Sequence, residues 1–142
     1  MSNKLKSNSL NQFINSRQKL FKYLFWCWLI LLLIASSIPN IPVPDKKIIG
    51  PLQSDYFIHF FEYFVLALLF VLWKKTTTYK PVSLGIIWLI GSAIASLDEV
   101  HQLWIPERTF NPIDLVFNSI GILSGLILTN LMLINISTST DN

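Results

Sequence analysis

His59, Glu99 and Arg108 are the side chains of this sequence best equipped for chemistry. Histidine changes protonation near neutral pH, a glutamate can take or give a proton, and the fixed fork of an arginine suits phosphate or carboxylate. They sit in two polar stretches, "DYFIHFFEYF" at 55–64 and "SLDEVHQLWIPERTFNPIDLVFNS" at 96–119. In the first, Asp55, His59 and either Glu62 or Tyr63 follow at helical spacings of three and four, which puts them on one stripe. In the second, Asp98 and Glu99 stand in the same relation to His101 and Gln102, and Asp114 lies one turn before Asn118. His59 as base or nucleophile, Glu99 as its acid or orienting partner and Arg108 on an anion would make a reaction site.

Each residue also has a plainer use. "NPID" places Asn111 as an N-cap, Pro112 at the first helical position and Asp114 in the first turn, where a carboxylate suits the helix dipole. Asn118 can hydrogen-bond across helices beside the small pair Gly121 and Gly125. His101 beside Trp104, and Tyr56, suit a membrane interface. Arg108 can snorkel, or join His59 and Glu99 in a purely structural network. Two histidines and several acids make a metal site conceivable, but no HExxH or comparable pair is present, and no motif identifies a cofactor.

The elements that must carry these groups are membrane spans. With 52% hydrophobic and 13% charged residues over 142, the chain is too apolar for an ordinary soluble fold. Crossing a hydrocarbon core of about 30 Å takes roughly 17 to 25 apolar residues. Four runs qualify, at 21–38, 55–73, 81–97 and 112–134, the third short unless its helix continues through the polar residues to about Trp104. Breakers separate them: Pro39, Pro42 and Pro44, then Gly50 and Pro51, then Lys80 and Pro81, then Pro106 and Pro112. The predicted fold is all-α, an integral membrane four-helix bundle. Residues 1–20 form a basic N-terminal segment, 21–136 the spanning domain and 137–142 a disordered tail. The long basic flank and Trp-rich first run favour an uncleaved anchor over a signal peptide.

Positive charge orients the bundle. Lys4, Lys6, Arg17, Lys19 and Lys22 precede the first run and Lys74, Lys75 and Lys80 follow the second, whereas Lys46, Lys47 and Arg108 fall on the other side. Both termini are therefore expected in the cytoplasm, and the polar residues of three helices at the outer interface of a plasma or inner cell membrane. The net charge of +3 reflects these flanks. Without interleaved stacking aromatics it does not indicate nucleic acid. "NIS" at Asn135 would lie inside, away from glycosylation, and the single Cys27 permits no intrachain disulfide. Ionisable groups cost about 2.5 to 3.5 kcal/mol each at a helix centre and less near the surface, so several together argue for a polar cavity opening outward.

The motif "DEVHQLWIPERTFNPIDLVFNSIGILSG" resembles the signature of the VanZ-like membrane proteins: Glu and Gln three apart, a Pro-x-Arg turn, then Asp, Asn and a glycine pair. "DYFIHFFEYFVLALL" is similar to that family's first motif, an Asp, a His four later and a Tyr another four on. The resemblance lands on Asp55, His59, Tyr63, Glu99, Gln102, Arg108, Asp114, Asn118 and Gly121. The chain departs from it at Glu107, where the family usually has Gly, and at Tyr56, where a Lys usually follows the Asp. The family is named for a protein associated with teicoplanin resistance, and fold comparisons have set such proteins beside lipid headgroup-modifying enzymes.

Two functions are compatible with these residues. One is an enzyme whose catalytic His59 and Glu99 act on a lipid or lipid-linked envelope headgroup held by Asp55, Tyr63, Gln102, Arg108, Asp114 and Asn118. The other is a membrane protein that binds lipid or drug, or stabilises the envelope, through the same network without turnover. Substrate and oligomeric state are not encoded in any feature of the sequence.

Overall fold

The computed structural model describes residues 12–39, 47–49, 52–74 and 84–138. A single helical turn, α1 (residues 12–16), leads into α2 (Gln18–Ser37). Two short antiparallel strands, β1 (Lys47–Ile49) and β2 (Leu52–Gln53), precede α3 (Ser54–Lys74). Then come α4 (Leu84–Gln102) and α5 (Pro112–Thr138). The last four helices are each long and apolar enough to cross a membrane, α5 through Ile134. Among the described residues the chain is thus a bundle of membrane-span helices with one short antiparallel strand pair, which the sequence pattern did not announce.

Helix ends agree with the apolar runs to within a few residues. α4 does continue beyond the apolar stretch to Gln102, because no breaker intervenes before Pro106. Asp98, Glu99, His101 and Gln102 therefore ride on a helix. α2 begins at Gln18, inside the segment expected to flank the bundle, and α1 tucks Ile14 into the buried cluster of Tyr63, Ala67, Val71 and Leu126. α5 runs past 136 to Thr138. Lys4, Lys6, Lys46, Lys75 and Lys80, the breakers Pro42, Pro44, Gly50, Pro51 and Pro81, and residues 139–142 lie outside the described residues.

Alternating spans make α3 and α5 run parallel, and these two pack most extensively, with α2 against α3 and α4 against α5. The reason lies on one stripe of α5. Asp114, Asn118, Gly121 and Gly125 follow at spacings of four, three and four, and all are buried. A Cβ added at Gly121 would collide with the carbonyl oxygen of Phe60, and one at Gly125 would stand 2.6 Å from that of Phe64. Glycine lets the two backbones touch, as membrane helices require when packing, not water, drives association. The outer faces of α2 and α4, with Ile30, Leu31, Leu89 and Leu97, are exposed to the surroundings. Trp26 and Trp73 meet near one end of the bundle, where Lys74 lies 4.3 Å from the Trp73 ring, and Trp104 marks the other.

Candidate functional site

Because α3 and α5 are parallel and in close contact, their N-terminal turns lie at one level, and the C-terminal turns of α2 and α4 come to the same end. Asp114, two residues past the start of α5, and His59, five past that of α3, bring the polar residues together. The capping geometry fixes α5: Asn111 Oδ1 accepts the N–H of Ile113 at 3.1 Å and its carbonyl accepts the N–H of Asp114. The expected N-cap is therefore present. The Asn111 side chain also interacts with that of Asp114, whose Oδ2 faces His59 on α3 at 3.8 Å.

His59 is the centre of the arrangement. Its Nδ1 lies 3.8 Å from Oε1 of Glu99 on α4, and its Nε2 lies 3.8 Å from Oδ1 of Asp55 and 3.8 Å from Oδ2 of Asp114. These separations exceed hydrogen-bond length, so the groups face one another without being bonded. Glu99 is 1% exposed and Asn118 0%; Asp55, with 29% of its side chain exposed, is where the cluster reaches the surface. Among the described residues, six buried side-chain polar atoms have no hydrogen-bond partner. They are Nδ1 of His59, both oxygens of Glu99, Oδ1 of Asp114 and both amide atoms of Asn118. All belong to this cluster. Orphaned buried groups each cost about 1 to 3 kcal/mol, so four residues in this condition form a site assembled at the expense of stability.

Other expected site residues go elsewhere. Tyr63 donates its hydroxyl to Oδ2 of Asp98 at 3.3 Å, and Ser36 on α2 donates to Oδ1 of the same residue at 2.7 Å. Asp98 and Glu99 are neighbours on a helix, so their side chains diverge by about 100°. Asp98 ties α4 to α2 and α3, and Glu99 turns to His59. Neither Asp98 nor Ser36 was among the expected site residues, although the DE pair itself signals two directions of contact. Gln102 is buried one turn beyond Glu99. Tyr56 is buried against Phe117, with ring centroids 5.2 Å apart, in place of any cationic contact.

Arg108 does not reach the cluster as an anion-binding residue. Its Nη2 donates to the carbonyl of Ala35 at 3.1 Å and its Nε to that of Ile38 at 3.3 Å. A guanidinium thus sits on the C-terminal carbonyls of α2, the negative end of the dipole, where Ala35 also accepts the N–H of Ile38. The preceding Glu107 adopts φ 66°, the left-handed conformation, so the turn keeps a glycine-type backbone without a glycine.

Two cavities lie beside the site. One of about 380 Å³ runs between α2 and α4, with Leu29, Leu33 and Leu97 along its length and Ser37, Asp98 and His101 at its polar end. The other, about 200 Å³ and lined by apolar side chains apart from Tyr63, extends toward Phe70 and Leu126. His59, Glu99 and Asp114 line neither. The sequence carries no local metal motif, yet the fold gathers Asp55, His59 and Asp114 so that one ligand atom from each lies within 4.8 Å of the others.

A family model described as VanZ/LLP1 matches residues 11–133. No curated protein and no solved structure matches the chain.

Proposed function

The chain belongs to the VanZ/LLP1 family, and from that premise we propose that it modifies the headgroup of a membrane lipid or lipid-linked cell-envelope precursor at the outer face of the cell membrane. The carrying observation is His59, set between a nearly inaccessible Glu99 on Nδ1 and the Asp55–Asp114 pair on Nε2. With a carboxyl group facing each ring nitrogen, the imidazole is placed to act as acid, base, nucleophile or ligand. Asp55 and Asp114 flank Nε2 at 3.8 Å each.

Position supports the same reading. The cluster lies at one end of four apolar helices, opposite Arg17, Lys19, Lys22 and Lys74, so the positive-inside rule puts it on the outer side. There a headgroup can be handled while its tails stay in the bilayer. The groove between α2 and α4, apolar along its length and polar at its outer end, has the character of such a molecule.

Arg108 favours a second reading in part, since its fork holds α2 and not an anion. Under that reading the polar residues are structural and the protein binds lipid or drug without turnover. Lipid mass spectrometry, including polyprenyl-linked species, separates the two in cells producing the parent or Glu99→Gln at equal membrane levels. A lipid changed only by the parent supports modification; identical profiles support binding alone.

A further inference from the structure

We propose that Asp55, His59 and Asp114 bind one divalent transition-metal ion. The His59 Nε2 faces a carboxylate oxygen from α3 and another from α5, each at 3.8 Å, and the three ligand atoms lie within 4.8 Å of one another. Ligands held about 2.0 to 2.2 Å from a tetrahedral ion stand roughly 3.3 to 3.6 Å apart, so a small inward rotation of the side chains completes the shell. Three protein ligands leave room for a water or a substrate oxygen, as in catalytic sites.

The surroundings point the same way. A ligating histidine is commonly fixed by a carboxylate on its other nitrogen, and here Glu99 stands opposite Nδ1. Asn118, fully buried one turn beyond Asp114 on the same stripe, has neither amide atom bonded, and Asp114 Oδ1 and both Glu99 oxygens are equally without partners. Three carboxyl groups stand round one imidazole in an apolar bundle, where their ionised forms are unfavourable without a counter-charge. A dication supplies the missing charge. One imidazole with two carboxylates suits Mn²⁺ or Zn²⁺ better than the all-oxygen cages of Ca²⁺.

With an ion in place, the electron pair of Nε2 goes to the metal, and His59 is a ligand and not a proton carrier. The ion would then polarise a phosphoryl oxygen or acidify bound water. Metal binding itself stands apart from the headgroup reading, since a protein that turns nothing over would also satisfy it.

The test uses the untagged full chain in detergent, stripped with chelator and titrated with MnCl₂ and ZnCl₂ by calorimetry, with bound metal counted by elemental analysis. One ion per chain is expected. His59→Gln, Asp114→Asn and the more exposed Asp55→Asn should each weaken binding at least about 10-fold, and Glu99→Gln about 10- to 100-fold. Asp98→Asn, whose carboxylate serves Ser36 and Tyr63, should bind as the parent does. Circular dichroism identifies any variant that fails to fold. Uptake of neither ion by the folded parent, or equal uptake by folded His59→Gln and Asp55→Asn, overturns the proposal. Neither result bears on lipid turnover, which the mass-spectrometric comparison reads separately.

Discussion

Nδ1 of His59 stands 3.8 Å from Oε1 of Glu99, joining α3 to α4 at a point where the glutamate is almost wholly removed from solvent. Neither atom has a hydrogen-bond partner. The pairing links the fold to the proposed chemistry, and its neighbours give separable expectations.

Asn118 should be dispensable for folding and indispensable for function. Its amide is buried with no partner, so an apolar residue of similar volume removes a desolvation cost. Asn118→Leu is expected to hold thermal stability or raise it by up to about 1 kcal/mol while abolishing the parent's lipid change. Unfolding in detergent micelles and lipid profiling check the two halves.

The contact between α3 and α5 should be intolerant of even one methyl group. Gly121→Ala drives a Cβ onto the Phe60 carbonyl, and Gly125→Ala brings one to 2.6 Å from that of Phe64. Each should lower stability by about 1 to 3 kcal/mol. Gly85→Ala, where nothing lies within 4 Å, should leave it unchanged or slightly raised. The same thermal assay compares the three.

Glu107 occupies a left-handed backbone position at φ 66°. Glu107→Gly should relieve the steric cost and stabilise the protein by up to about 1 kcal/mol, offset in part by glycine's greater freedom when unfolded. A β-branched residue such as valine should lower the midpoint.

Arg108→Lys keeps the charge and loses the two-point hold on the Ala35 and Ile38 carbonyls. Stability should fall by about 1 kcal/mol, with the lipid change retained per folded molecule. Loss of the lipid change at full stability would return Arg108 to the anion-binding role expected from its residue type.

Much of this was legible in the sequence. The four spans follow from apolar length alone, and the Asp55–His59 stripe, the Asn111 cap and the small pair Gly121 and Gly125 follow from spacings within one helix. Pairings between helices were not legible, because spacing says which face a residue occupies and not which neighbour meets it. Spacing sets Tyr63 on the stripe of His59, yet its hydroxyl bonds Asp98; residue type suits Arg108 to an anion, yet its donors reach the carbonyls at the end of α2. The Asp55–His59–Asp114 set escaped for the same reason. Asp114 joins Asp55 and His59 from a separate helix, so no local spacing announces the three together. The β1–β2 hairpin is too short to generate a pattern.

The most direct test of the central claim is conversion by the purified protein. Parent, His59→Gln and Glu99→Gln in nanodiscs would be incubated with a total envelope lipid extract, with and without MnCl₂ or ZnCl₂, and headgroups followed by mass spectrometry. The account predicts that the parent converts one headgroup species and that both variants, folded equally well, lose about 10²- to 10⁴-fold in rate. Equal conversion by all three would contradict it.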